Sequence, residues 1–372
     1  MKRIEIKENN LNMVYEITDE NEIKLLHFSN LPFDENDINS CEGTASFRPV
    51  EVLLSGLNRP GERHGTKYTY TAPGYRLKYK DMKDYRNETG RKLEILMEDK
   101  PTGLEVCSNI QFYDGISVIR SWTELKNNGE EDLGVEYVSS FALLGIDKEG
   151  LLSTDEKLEV LIARNAWQKE LIWNRFSMDQ LGMSISQPDK VRRSSQTISV
   201  GNTGNWSTKN YLPMGCLKNK ETDSILFWQI EQNGSWYWEI SDQDGHMYLQ
   251  LSGPTEHQSH WWKNLKPGDT FASVPVSVGS ACGDVEEAAG ELTKYRRAIR
   301  RKNEDNEKLP VIFNDYMNCL WGDPTTEKEL PLIDKAKEAG CEYFCVDCGW
   351  YSAGFWWDGV GCLLYTSDAA DD

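Results

Sequence analysis

The sequence predicts a multidomain chain: a large antiparallel β-sandwich, followed by a β–α–β unit that opens a parallel α/β domain. Three observations carry this. From residue 1 to about 280, short runs of period-two alternation recur with almost no helical periodicity. Turn dipeptides separate the runs, as they do in sheets built from many short antiparallel strands. Beyond residue 284 helical spacing sets in, and Pro310 to Tyr351 then reads as strand, loop, helix, strand.

Taken in order, IEIKENN, LNMVYEI, YRLKYKD, KLEILMED, LEVCSNIQFYD and SVIRSWTELKN are read as strands. Asp114-Gly115, Asn127-Asn128-Gly129, Asn233-Gly234 and Asp244-Gly245 supply turn chemistry between the runs. Residues 221–251 are read as three consecutive strands joined by tight turns, with Trp228, Trp236 and Trp238 alternating through them. These indoles are expected to pack between sheets; the sharper alternative is an aromatic platform for sugar rings. Asn205-Trp206-Ser207 fits a glycosylation acceptor in a loop, but no apolar secretory segment is visible at the N-terminus, so the match is read as accidental. His257 and His260, three apart, would face opposite ways on a strand and are not read as a metal pair.

Residues 284–308 are read as a linker helix. Val285, Ala288, Leu292, Tyr295 and Ile299 share one face, and Asp284 with Glu287 resembles a capping box. Acidic residues at its start and RRAIRRK at its end both complement the helix macrodipole. PVIF at 310–313 is then expected to be a strand buried on both faces. Leu332, Ile333, Ala336 and Ala339 repeat at helical spacing, with Gly340 placed for the left-handed C-terminal position. Pro331 suits only a first turn, so the helix is expected to begin near Leu330; a short turn capped by Thr326 with Glu329 is the alternative. A second strand, Tyr343 to Val346, follows.

Forty-one Lys and Arg against 60 Asp and Glu give a formal charge of −19, which repels phosphate backbones and anionic lipid. Nucleic-acid and membrane partners are therefore disfavoured, and a cytoplasmic location is expected. No apolar run approaches the roughly 20 residues of a membrane helix. Of nine cysteines only Cys341, Cys345 and Cys348 cluster, and buried thiols are expected there rather than a metal or redox site. No cofactor or metal is called for.

Chemistry in parallel α/β folds sits at the carboxyl ends of the strands. The first strand end offers Asn314, Asp315 and Tyr316; the second offers Asp347, Cys348 and Trp350. Carboxylates and amides pair with vicinal hydroxyls, and indole packs on a sugar's apolar face, so an oligosaccharide ligand suits this set. The bland alternative has Asp347 capping a helix and Trp350 packing under the loop.

Here a resemblance becomes specific. SFRPVEVLL at 46–54, the run TGLEVCSNIQFYDGISVIRSWTELKNNGEEDLGVEYVSS at 102–140, PVIFNDY at 310–316 and YFCVDCGW at 343–350 together resemble glycoside hydrolase family 36, the α-galactosidases. The resemblance implies an N-terminal β-supersandwich over 1–283, the linker helix over 284–308 and the start of a (β/α)8 TIM barrel over 309–360. It implies retaining hydrolysis by two aspartates that lie on later barrel strands, so no residue of this chain is expected to be catalytic and the chain alone should be inactive. Asp347 matches the first of two adjacent aspartates that hold galactose hydroxyls in the family; Cys348 stands where the second would be, and Tyr316 stands for a tryptophan. These departures open α-N-acetylgalactosaminide specificity. A carbohydrate-binding sandwich without chemistry of its own is the reading from another class. Family members often assemble as homo-oligomers. The final GCLLYTSDAADD continues no barrel element and is read as a non-native tail over 361–372, expected to pack on nothing.

Overall fold

A computed structural model describes residues 1–35, 47–57, 67–183, 196–352 and 354–360; the tail at 361–372 lies outside them. The chain divides into two compact units, Met1–Ile299 and Arg300–Asp372.

Among the described residues the first unit is antiparallel β-structure in three sheets. The ten-stranded sheet runs in the spatial order Lys169–Ser177, Leu158–Ala166, Tyr211–Asn219, Ser224–Ile230, Val276–Cys282, Ile116–Asn127, Leu104–Tyr113, Gly90–Asp99 and Lys78–Asn87, with Thr270–Ala272 also paired to Ile116–Asn127. The six-stranded sheet runs Ile198–Asn202, Trp236–Gln243, His246–Ser252, Leu133–Leu144 and Lys263–Leu265, with Val52–Leu54 added to Leu133–Leu144. Lys2–Glu8, Leu11–Ile17 and Ile23–Ser29 make the third. One apolar core joins residues of all three.

Two-residue turns set the hairpin registers. Asp244 and Gly245 link Gln243 to its partner His246 with φ of 50° and 81°, the left-handed pair a tight hairpin requires. The expected run of three joined strands over 221–251 is corrected in one respect. Ser224–Ile230 lies in the ten-stranded sheet and Trp236–Gln243 in the six-stranded one, so Asn233-Gly234 marks a crossing between sheets rather than a hairpin. That crossing puts Trp228 and Trp238 on facing layers, where their rings meet edge to face at 5.1 Å and 77°. Trp228, Trp236 and Trp238 are 0, 1 and 0% exposed, so they are core and not a sugar platform. YRLKYKD also differs: its first residues form a helical turn, Gly74–Arg76, and the strand begins at Lys78. His257 lies in a short helix, Glu256–Ser259, and His260 caps it with φ of 54°.

The outer face of the six-stranded sheet is buried as well, under a polar cover. On Trp236–Gln243 the residues alternating with the core indoles are Tyr237, Glu239 and Ser241, all buried. Glu239 accepts from the Tyr68 amide and from the hydroxyls of Tyr237 and Tyr248, each at 2.8 Å. Burial nevertheless raises its pKa. Tyr68 stacks on Tyr137 at 3.8 Å, and Lys67 pairs with Asp242 at 2.8 Å out of solvent. Glu51 completes the cover, accepting the Tyr70 and Thr71 amides at 3.2 and 3.0 Å. Gly74 is obligatory there, because a Cβ would stand 2.2 Å from Thr71 Oγ1 and 2.9 Å from the Val52 nitrogen.

The expected helix over 284–308 is two pieces, Val285–Ile299 and Glu304–Lys308. Like charges at Arg300, Arg301 and Lys302 precede Asn303, whose side chain caps the second piece by accepting the Asn306 amide. Ala288, Leu292 and Tyr295 of the first piece bury against Tyr113, Val118, Leu161, Ile225 and Phe227 on the ten-stranded sheet. Glu287 accepts the Asp284 amide at 2.8 Å, the reciprocal half of a capping box.

Burial pushes the Glu51 carboxyl up to about 7, well above the ordinary carboxylate range. A raised folded pKa gives stability that is complete below the unfolded value and lost as pH rises through the folded one, about 3 kcal/mol in all. Glu51→Gln removes this titration. Denaturant unfolding should therefore show wild type losing about 3 kcal/mol relative to the variant between pH 4.5 and 8; parallel pH profiles would refute it.

Candidate functional site

The second unit holds the strand ends singled out above. Ile312–Asn314 and Tyr343–Cys345 pair in parallel, with Asn314 opposite Cys345. The Asp315 amide then donates to the Cys345 carbonyl at 3.2 Å, the last rung before the chains part. The expectation that PVIF is buried on both faces is corrected: Val311 and Ile312 are 55 and 59% exposed. Among the described residues of this unit the strand has a single partner strand, and much of its surface is uncovered.

The helix between the strands runs Thr326–Glu338, starting four residues earlier than expected and passing through Pro331 without a break. Proline at the sixth position forfeits only the bond to the Glu327 carbonyl, a loss near the helix start that the following turns outweigh. Its end is as expected. Gly340 has φ of 86°, its amide bonds the Lys337 carbonyl, and the Cys341 amide bonds the Ala336 carbonyl, which together make a Schellman closure.

Beyond the first strand the backbone makes a distorted turn. Leu320 and Trp321 amides close back on the Asp315 and Tyr316 carbonyls at 2.8 and 3.0 Å, with Asn318 and Trp321 left-handed. Asn314 is the hinge of the site. Its Nδ2 donates to Asp347 Oδ2 at 2.7 Å, and its Oδ1 accepts the Tyr316 amide at 2.9 Å. Asp315 is 1% exposed, and its Oδ1 accepts the Asp347 amide at 2.8 Å. Asp347 itself is exposed, held at its backbone by Asp315 and at its carboxylate by Asn314, both from the end of the first strand. Trp350 is 54% exposed three residues on. Cys348 is buried, and burial, then the charges of Asp347 and Asp315, raise its thiol pKa. That is the reverse of what a metal ligand or redox thiolate needs. Cys345 is exposed and Cys341 half-buried, so the buried-thiol expectation holds for Cys348 alone of the three. No group of residues able to hold a metal occurs among the described residues.

Tyr316 packs edge-on against Trp321 and Trp356, each at 5.6 Å. Two glycines make this possible. A Cβ at Gly349 would stand 2.0 Å from the Gly322 carbonyl oxygen, and one at Gly322 would stand 2.5 Å from Trp356 Cδ1. Glu329 was not anticipated as part of the site. It lies seven residues before Ala336, on the same helical face, and both are buried; that spacing was its only signal.

Comparison with known proteins places the fold. No protein-family model matches the chain. The fold is that of the α-galactosidases of glycoside hydrolase family 36, whose sheet-rich N-terminal sandwich it reproduces. AgaA of Geobacillus stearothermophilus, a GH36 α-galactosidase, aligns with a TM-score of 0.72 at 16% identity, over 94% of this chain and 50% of that one. An AgaA variant in complex with raffinose aligns equally well, at 0.72 and 16%. In sequence, alpha-galactosidase Mel36A of Lactobacillus acidophilus is 23% identical over 273 residues, 71% of this chain. The chain spans 33% of the length of Mel36A and half the length of AgaA. Its homologues are thus glycoside hydrolases over most of its residues.

Gly349→Ala is expected to destabilise the second unit by about 1–3 kcal/mol through forced backbone strain. Limited proteolysis should show faster cleavage beyond residue 300 with the first unit's pattern unchanged; an unaltered pattern would contradict the close approach.

Proposed function

We propose that this chain is the N-terminal part of a retaining α-galactosidase that hydrolyses terminal α-galactosides of the raffinose and melibiose type. One observation carries the reading. At adjacent carboxyl strand ends, an exposed aspartate is oriented by a neighbouring asparagine at 2.7 Å and flanked by an exposed tryptophan. An ionised carboxylate accepts two hydroxyl protons, the Asn314 amide fixes its plane, and Trp350 offers an apolar ring. Asn314, Asp347 and Trp350 are assigned to the sugar-holding rim, with Tyr316, Asp315 and Cys348 behind it. The homologue AgaA is known in complex with raffinose, which supports the substrate class.

In this reading residues 1–283 form the supersandwich, 284–308 the connection and 309–360 the first part of a (β/α)8 barrel. The nucleophile and the acid/base are aspartates of later barrel strands, where a pair roughly 5 Å apart forms and then hydrolyses a glycosyl-enzyme. This chain's residues bind and orient; they do not cut. No helix is long and apolar enough to cross a membrane among the described residues, and with the acidic charge this supports a cytoplasmic enzyme. Cys348 in place of a second sugar-holding aspartate favours, as a second reading, an N-acetylgalactosaminide glycone.

The test is hydrolysis of nitrophenyl α-galactoside and its N-acetyl counterpart by the product of the full reading frame. Turnover of the first is expected, and activity on neither overturns the proposal. In that enzyme Asp347→Ala should lower kcat/KM about 100-fold, the loss of about 3 kcal/mol of charge-assisted hydrogen bonding. A change under threefold would remove Asp347 from the rim.

A further inference from the structure

We infer that Asn233-Gly234, in the crossing between the two large sheets, is a site of spontaneous covalent modification of the folded chain. The Gly234 amide nitrogen attacks the Asn233 carboxamide carbon. A new N–C bond closes a cyclic imide while the side chain's own C–N bond breaks and ammonia leaves. Water then opens the ring at either carbonyl, giving aspartate or, with the main chain rerouted through the side-chain methylene, isoaspartate. Nothing is oxidised or reduced, and water is the co-reactant. The reaction needs an unheld carboxamide and a backbone nitrogen free to turn towards it, and a following glycine, lacking a Cβ, crowds that nitrogen least.

Asn-Gly occurs twice in the sequence, at Asn128-Gly129 and Asn233-Gly234, and the fold treats the two differently. At the first, the Gly129 amide donates to Asn127 Oδ1 at 2.9 Å, and the Asn128 amide donates to the Gly103 carbonyl at 3.0 Å. The backbone is wedged there as well, since a Cβ on Gly129 would stand 2.4 Å from the Thr102 carbonyl oxygen. The attacking nitrogen is tied to another group and cannot swing. At the second pair those restraints are missing. Asn233 is exposed, and among the described residues its single hydrogen bond is donated by its own amide, to Gln232 Oε1 at 3.1 Å. Its carboxamide is therefore unheld, and the Gly234 amide has no acceptor among the described residues. A Cβ on Gly234 would meet the Gly204 carbonyl oxygen alone, at 3.7 Å.

The position matters because the crossing is anchored on both sides. Before it, the Glu231 amide donates to the Pro275 carbonyl at 2.9 Å, and the Glu231 carboxylate accepts from Arg120 at 2.9 and 2.6 Å and from the Tyr295 hydroxyl. After it, Ser235 Oγ accepts the Gly204 amide at 3.0 Å, and Trp236 Nε1 donates to the Ser207 carbonyl at 2.7 Å. Isoaspartate lengthens the main chain by one carbon between these fixed ends, in the piece that joins the strand of Trp228 to that of Trp238. Aspartate at the same position adds the charge without the length. Only the isoaspartate form strains the joint.

The experiment incubates the 372-residue chain in mildly alkaline buffer, folded and in denaturant, and follows the tryptic peptides Asn127–Lys148 and Glu221–Lys263 by tandem mass spectrometry. In the folded chain Asn233 should convert about tenfold faster than Asn128, a factor equivalent to about 1.4 kcal/mol, the scale of one amide hydrogen bond. In denaturant, where local sequence alone acts, the two rates should converge. Gly234→Ala, whose Cβ the fold accommodates, should slow conversion at position 233 and leave Asn128 unchanged. The purified isoaspartate form should unfold at a lower denaturant concentration than the unmodified chain, with Asn233→Asp close to the unmodified midpoint. Equal rates at the two positions in the folded chain overturn the inference, as does an Asn233 that outlasts Asn128 or a Gly234→Ala chain that converts as fast as wild type. An isoaspartate form as stable as Asn233→Asp overturns the strain assigned to the joint.

Discussion

Trp228 and Trp238 meet where the ten-stranded and six-stranded sheets press together, and the first unit's architecture depends on that joint. Neither indole N–H finds an acceptor among the described residues. Leaving such a donor unpaired costs about 1–3 kcal/mol. Burying an aromatic of roughly 150–250 Å² at about 25 cal/mol per Å² returns about 4–6 kcal/mol. Packing wins, which explains why tryptophans and not smaller residues fill the layer. The strand crossing at Asn233-Gly234 exists to deliver one indole to each side.

Around that apolar joint the same sheet carries an opposite solution on its other face. There the residues are polar and equally buried, so each must be satisfied individually. Glu239 meets this with three donors and Glu51 with the Tyr70 and Thr71 amides, while Lys67 and Asp242 satisfy one another. The inner face is held by area and the outer face by bonds of fixed geometry. This pins residues 67–77 across the sheet, where a loop would otherwise be free to lift.

Much of the sandwich was legible because period-two alternation and turn dipeptides are local signals. Leu11–Ile17 coincides with its predicted run, and Asp244-Gly245 makes the hairpin its sequence announces. Alternation tells which side chains share a face but not which strand is the neighbour. Hence Ser224–Ile230 and Trp236–Gln243 looked adjacent and belong to different sheets. Glu239 could not be recognised as buried, since a carboxylate in an alternating strand has the signature of a solvent face. At the strand ends the fold family and the polar set were readable from YFCVDCGW and PVIFNDY, and Asn314 with Asp347 are brought together. Glu329 was hidden by its position, because an acid in a first helical turn has the ordinary explanation of a macrodipole partner. Pro331 misled in the same way: the rule about proline is local, and the helix tolerates one missing bond.

The cover over the six-stranded sheet also has a kinetic meaning. The Tyr68 amide reaches Glu239 across 171 residues of sequence, and Asn30 reaches Ser280 across 250. Closing loops of that length costs entropy before any contact repays it, and topologies rich in such contacts fold slowly. Trp236–Gln243 and His246–Ser252 can pair as soon as they are made, but their outer carboxylate stays without its amide donor until a segment synthesised much earlier is laid across it. The sandwich is thus a structure whose last polar contacts await most of its length, and in a nascent chain Glu239 has only the local Tyr237 and Tyr248 hydroxyls until then.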